Sequence, residues 1–123
     1  LPLQINWRNI TTILIKSTNY FSVHYHFLEN RSICLAGINF LSVPARMALH
    51  YYPKIKLPEK TDFLLTHAPP KDILDNGFGC TILKKFVNKL KPSYHLFGHI
   101  HETAGQTISE SKTIFMNTSF INN

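Results

Sequence analysis

Two short apolar runs, each ending in histidine and joined by an amphipathic helix, constrain this 123-residue chain more than any other feature. Asp62-Phe63-Leu64-Leu65-Thr66 is a compact apolar strand that stops at His67-Ala68-Pro69-Pro70. Tyr94-His95-Leu96-Phe97 is a second buried strand, and it stops at Gly98-His99-Ile100-His101. Between them, Ile82, Leu83, Phe86, Val87 and Leu90 recur at helical spacing, with Lys84, Lys85, Asn88 and Lys89 on the other side. The pattern predicts a helix over Gly79 to Leu90, stopped by Pro92. A helix of that length suits a crossover between parallel neighbours in one sheet. Both histidine loops then leave the sheet at the same edge, a common place for an α/β site.

The remaining pattern fits an α/β layered domain. Tyr25 to Phe27, Ser32 to Ala36 and Ile38 to Val43 alternate like short strands, with a turn at Glu29-Asn30-Arg31 and a stop at Pro44, and they predict a meander. Residues 45–60 predict a short helix running into a loop. Gln106 to Ser109 and Thr113 to Met116 predict a closing hairpin. Residues 1–23 form a poorly defined segment in which Ile10 to Ile15 is a strand candidate, and residues 24–123 form the domain proper.

The chemistry concentrates in the two histidine loops. In extended chain, residues i and i+2 point the same way, so His99 and His101 would face one side and Ile100 the core. Gly98 beside them lets backbone and ligand approach closely. Neutral imidazole is a common ligand for zinc, iron and manganese. An isolated His-x-His is a weak signal, but convergence of His67 with His99 and His101 is hard to treat as chance. His95, mid-strand, fits a hydrogen-bonded core histidine. His24 and His26 fit surface or packing positions, and His50 carries no information. For Asn117 at the end of the last strand, shaping the site and making a turn are both open. Asp72 and Asp75 fit caps or turns of the loop before the helix. Glu102 fits either a partner that orients a metal-bound histidine or a solvated carboxylate.

The blocks Thr66-His67-Ala68-Pro69-Pro70, Gly79-Cys80 and Lys91-Pro92-Ser93-Tyr94-His95-Leu96-Phe97-Gly98-His99-Ile100-His101-Glu102 resemble the calcineurin-like metallophosphoesterases. The branch that includes the metallophosphoesterase-domain-containing proteins of animals is the nearest. Phe27-Leu28-Glu29-Asn30, Gly37-Ile38, Gly105, Thr113 and Asn117-Thr118-Ser119 fit the same branch, so the resemblance covers roughly residues 24–123. It implies the C-terminal half of a sandwich of mixed β-sheets with flanking helices. It also implies two divalent metal ions (manganese, iron or zinc), with His67 and His99 on one ion and His101 on the other. In such sites ions ~4 Å apart clamp a phosphate ester and activate a hydroxide for in-line attack. The implied substrates are phosphodiesters or nucleotide-like phosphate esters. The family's front-half blocks, Asp-x-His, Gly-Asp-x-x-Asp and Gly-Asn-His-Asp/Glu, do not occur in this sequence. Three neutral histidines do not bridge two cations. The expectation is therefore a segment whose parent is the enzyme, with no complete catalytic set in this half. Beside it stands a non-catalytic remnant that binds or dimerises, and a front half or partner covering the exposed sheet.

Composition narrows the partners. A formal charge of +6 favours anionic ligands, but the basic residues are scattered apart from Lys84, Lys85, Lys89 and Lys91, which fit the wet face of a helix. Without clustered arginines or an aromatic platform, nucleic acid ranks low as a partner. Cys34 and Cys80 have neither zinc-ligand spacing nor the numbers for a disulfide framework, and they fit partly buried thiols of a cytoplasmic protein. No apolar run approaches the roughly 20 residues of a membrane span.

Overall fold

A computed structural model describes residues 3–5, 12–16 and 23–120. Its centre is a six-stranded sheet in the order β4-β5-β6-β7-β9-β8, built from β4 (Arg31–Leu35), β5 (Ile38–Ser42), β6 (Phe63–Leu65), β7 (Tyr94–Phe97), β8 (Thr107–Glu110) and β9 (Thr113–Asn117). The four inner strands β5, β6, β7 and β9 run parallel, while β4 and β8 are antiparallel edges. The expected crossover is present: β6 leads through α1 (Thr81–Leu90) to β7, its parallel neighbour.

Period-two alternation divides the apolar residues between the two faces of this sheet. Leu41, Leu64, Phe97 and Phe115 face α1 and form one core with Leu83, Phe86 and Val87. Phe40, Leu65 and Leu96 face the other way and pack with Leu28. Burying each such side chain stabilises the fold by about 1.5–3 kcal/mol, so the helix face, with three wholly enclosed phenylalanines, contributes most. On the other face the rings of Phe40, Phe63 and Tyr94 stack across β5, β6 and β7, with centroids 5.3 and 4.9 Å apart.

Local chemistry sets the ends of the elements. The Cys80 thiol caps α1 by accepting from Leu83 N–H, and the helix ends at Lys91 in the left-handed region. Ala36 and Gly37, both at positive φ, make the two-residue turn of the β4–β5 hairpin. Lys85 and Lys89 lie on the wet face as expected, whereas Lys84 is paired with Glu110.

Three local expectations are corrected. The predicted meander splits, because β3 (Val23–Phe27) pairs with β2 (Thr12–Lys16) in a separate antiparallel sheet with β1 (Leu3–Ile5), and not with β4. The break follows Leu28, which is drawn into the core, and Asn30 at positive φ. The helix predicted within 45–60 is absent; that stretch is irregular. Its prolines and Ala45 at positive φ oppose a helix, and Leu49, Ile55 and Leu57 reach the core without helical spacing. Cys34 is exposed and only Cys80 is buried; both thiols are free. The side chains of His24 and His26 lie outside the described residues. No helix among the described residues is long and apolar enough to cross a membrane.

Candidate metal centre

The parallel strands deliver their carboxyl ends to one rim, and the hydrogen-bond ladder continues past them. Val43 N–H donates to Leu65 O (3.0 Å), Thr66 N–H to Leu96 O (3.1 Å) and Thr118 N–H to Phe97 O (2.7 Å). His67 is held from both sides: its N–H donates to Pro44 O (3.1 Å) and its carbonyl accepts from Gly98 N–H (2.9 Å). The backbone of both histidine loops is thereby fixed to the sheet. A Cβ added at Gly98 would meet only ordinary contacts, the nearest being Ser119 Oγ at 3.5 Å, so packing within the chain does not demand glycine there.

On this rim His67 and His99 meet. His67 Nε2 lies 3.2 Å from His99 Nδ1, one nitrogen donating to the bare lone pair of the other. The rings are tilted 55° with centroids 5.0 Å apart. Both side chains are half-buried. Burial, then the neighbouring His99 and Arg46, holds the His67 pKa below the usual histidine value. His67 is therefore neutral near pH 7, the form that ligates metals.

His101 is placed differently from the extended-chain expectation. His99 adopts φ +71° and turns the chain, and His101 opens a short 3-10 helix, His101–Thr103, with its side chain exposed. The same-face geometry of an extended His-x-His is not formed. Among the described residues, no three His, Cys, Asp or Glu side chains gather as a metal site. Glu102 is exposed on the same turn.

His95 is the core histidine that its mid-strand position suggested. Thr66 Oγ1 donates to Ala68 O (2.7 Å) and so accepts from His95 Nε2–H (2.8 Å). That fixes the tautomer and leaves Nδ1 bare, buried and without a partner. Phe97 and Phe115 enclose the ring edge-on. Complete burial pushes its pKa down to about 3.

The loop from Pro70 to Gly79 borders the rim and is organised by Asp75. Its carboxylate accepts from the N–H groups of Asp72 (3.0 Å), Gly77 (3.2 Å) and Gly79 (2.9 Å), the turn role open to it from sequence. A Cβ at Gly79 would fall 2.4 Å from Asp75 Oδ2 and 2.5 Å from Pro70 O, so this loop requires glycine there. Sequence reasoning left one residue undecided that the structure makes central. Asn117, 2% exposed, donates through Nδ2 to Ile100 O (2.6 Å) and Thr103 Oγ1 (2.7 Å). The only signal for it in the sequence is an asparagine closing a strand beside the histidine strand.

Two nitrogens bound to one ion at about 2.0–2.1 Å lie roughly 3.3 Å apart at a tetrahedral angle. The 3.2 Å separation of His67 Nε2 and His99 Nδ1 matches, so the pair fits two positions on one ion once the donating ring carries its proton on its other nitrogen. A dinuclear centre does not fit the described residues alone, since no carboxylate joins the pair.

Strand, crossover helix, strand and a histidine pair at the carboxyl rim define an α/β domain with a candidate site at its strand ends. The sequence model of the calcineurin-like phosphoesterases matches residues 2–103, and the chain belongs to that family. The match reaches well into residues 1–23, which the motifs alone had left unassigned. The chain is 31% identical to a UPF0046 protein of Caenorhabditis elegans over 111 residues, covering 78% of this chain and 38% of that protein. A second UPF0046 protein of the same nematode is 40% identical over 72 residues, 54% of this chain and 18% of the relative. Human metallophosphoesterase domain-containing protein 1 is 36% identical over 70 residues, 51% of this chain and 21% of the relative. The chain thus spans well under half the length of these relatives.

Proposed function

We propose that this chain supplies the back half of a divalent-metal phosphoesterase site, with His67 and His99 as ligands of one ion and His101 as a ligand of the second. The observation that carries the reading is the histidine pair at 3.2 Å, set on the ends of adjacent parallel strands within a phosphoesterase family domain. A bound divalent ion would polarise a phosphoryl oxygen and lower the pKa of water. This chain's contribution is to hold two imidazoles at fixed separation, with His67 anchored through its own N–H and carbonyl. The reaction proposed is hydrolysis of phosphodiesters or nucleotide-like phosphate esters, with a carboxylate contributed by sequence outside this chain. Two free thiols fit a reducing, cytoplasmic setting.

A second reading, a non-catalytic module that binds or dimerises, draws on the lack of a third ligand beside the pair among the described residues. The two readings separate in the longer protein that carries this segment. Its manganese-dependent hydrolysis of bis(p-nitrophenyl) phosphate is expected to fall at least a hundredfold in His99→Ala. Wild-type turnover in that variant would overturn the site assignment, and no metal-dependent turnover in the parent would favour the second reading.

A further inference from the structure

We propose that Asn117 is the positioning residue that holds His99 in the conformation that meets His67; its link to metal binding rests on the function proposed above. His99 has φ +71°, and the next residue's N–H returns to the preceding carbonyl, Ile100 N–H to Gly98 O at 2.9 Å. An i to i+2 bond around a central residue of positive φ is the classic γ-turn, a rare and strained form. Such strain persists only where the surroundings over-determine it. The ladder of the sheet carries the chain only as far as Gly98, whose N–H donates to His67 O, and the turn beyond it needs a further hold.

Asn117 supplies it from the neighbouring strand. Its Nδ2 donates to Ile100 O, the carbonyl immediately after the γ-turn, and to Thr103 Oγ1 at the end of the 3-10 turn. Its Oδ1 accepts from Ser119 N–H at 2.9 Å. These partners fix the orientation of the amide, since a carbonyl only accepts and a backbone N–H only donates. The backbone of Asn117 closes the same loop: its carbonyl accepts from Gly105 N–H (2.8 Å) and its N–H donates to Gln106 O (3.0 Å). Thr103 Oγ1 passes the constraint on by donating to Leu74 O (2.6 Å) in the Asp75 loop. A residue at this position needs two donors and one acceptor on a short stem. Aspartate lacks the donors, and glutamine is one methylene too long for the buried site.

The test uses nuclear magnetic resonance and zinc calorimetry on the full chain. The His99 amide–α-proton coupling and Cα shift report its backbone conformation without any metal. Asn117→Ala is expected to move both out of the left-handed range and to weaken zinc binding about 10–100-fold. Thr113→Val removes another buried bond from the same strand, to Pro92 O at its far end, and is expected to leave both readouts at wild type. A wild-type His99 coupling in Asn117→Ala overturns the proposal, as does an equal change in Thr113→Val. Should Asn117→Ala fail to fold, the isosteric and half-buried Thr103→Val is expected to shift His99 in the same direction by less; no shift overturns the proposal equally. If wild type and His67→Ala bind zinc alike, the metal reading fails, and the coupling still decides the role of Asn117.

Discussion

Imidazoles stand in two regions of one sheet, His95 in the core and His67 with His99 on the rim, and their surroundings differ. His95 points into the core, is closed in by Phe97 and Phe115, and donates its one N–H to Thr66. His67 and His99 stand on the rim, half-buried, with their ring nitrogens facing each other. The buried ring contributes to stability and is kept neutral by burial at any ordinary pH. The rim pair is open to a ligand, and its geometry carries a strained backbone at His99. What separates the core histidine from the rim pair is how far along its strand each sits.

The largest expected effect lies on the buried side. His95→Ala leaves a void between two phenylalanines and takes from the Thr66 hydroxyl the bond it accepts, a loss of about 2–4 kcal/mol in urea denaturation. A loss below about 1 kcal/mol would break the contrast with the rim.

Next comes the pH dependence. A histidine held near pKa 3 in the fold, against an ordinary value of 6.5, binds a proton only when unfolded across that interval. Its contribution is therefore complete above about pH 6.5 and is lost as pH falls toward 3, at about 1.4 kcal/mol per pH unit. His95→Gln should flatten this part of the profile, measured as urea midpoint from pH 7 to pH 4; an unchanged slope would mean that the ring is not neutral and buried.

The rim should respond least. His67→Ala and His99→Ala are expected to change stability by less than about 1 kcal/mol. Because His99 is at positive φ, His99→Gly should be more stable than His99→Ala by about 1 kcal/mol. Thermal unfolding of the two variants side by side checks this, and the reverse order would remove the γ-turn strain from the account.

The β6–α1–β7 unit was legible in the sequence because its apolar spacing, stop signals and histidine-ended strands agree with one another. The core role of His95 was legible from its mid-strand place. His101 was not, because extended geometry was carried past Gly98, where the chain instead turns at His99 and enters a 3-10 helix. The 45–60 segment was misread since Leu49, Ile55 and Leu57 are buried by the fold around them and not by a helical face of their own. The strand candidate at Ile10 to Ile15 is present as β2, but its polar flanks gave no sign that it pairs with β3. The two bonds that Asn117 donates are tertiary, joining residues 14 and 17 positions apart, and no local pattern encodes them; only its bond from Ser119 N–H is local.

The central claim is that the rim pair, and not the buried ring, ligates a metal. Titrating the chain with cobalt(II) and following its visible absorption tests this directly. The account predicts a ligand-field band in wild type that is lost in both His67→Ala and His99→Ala and retained in His95→Gln. A band of wild-type intensity in His99→Ala would contradict it.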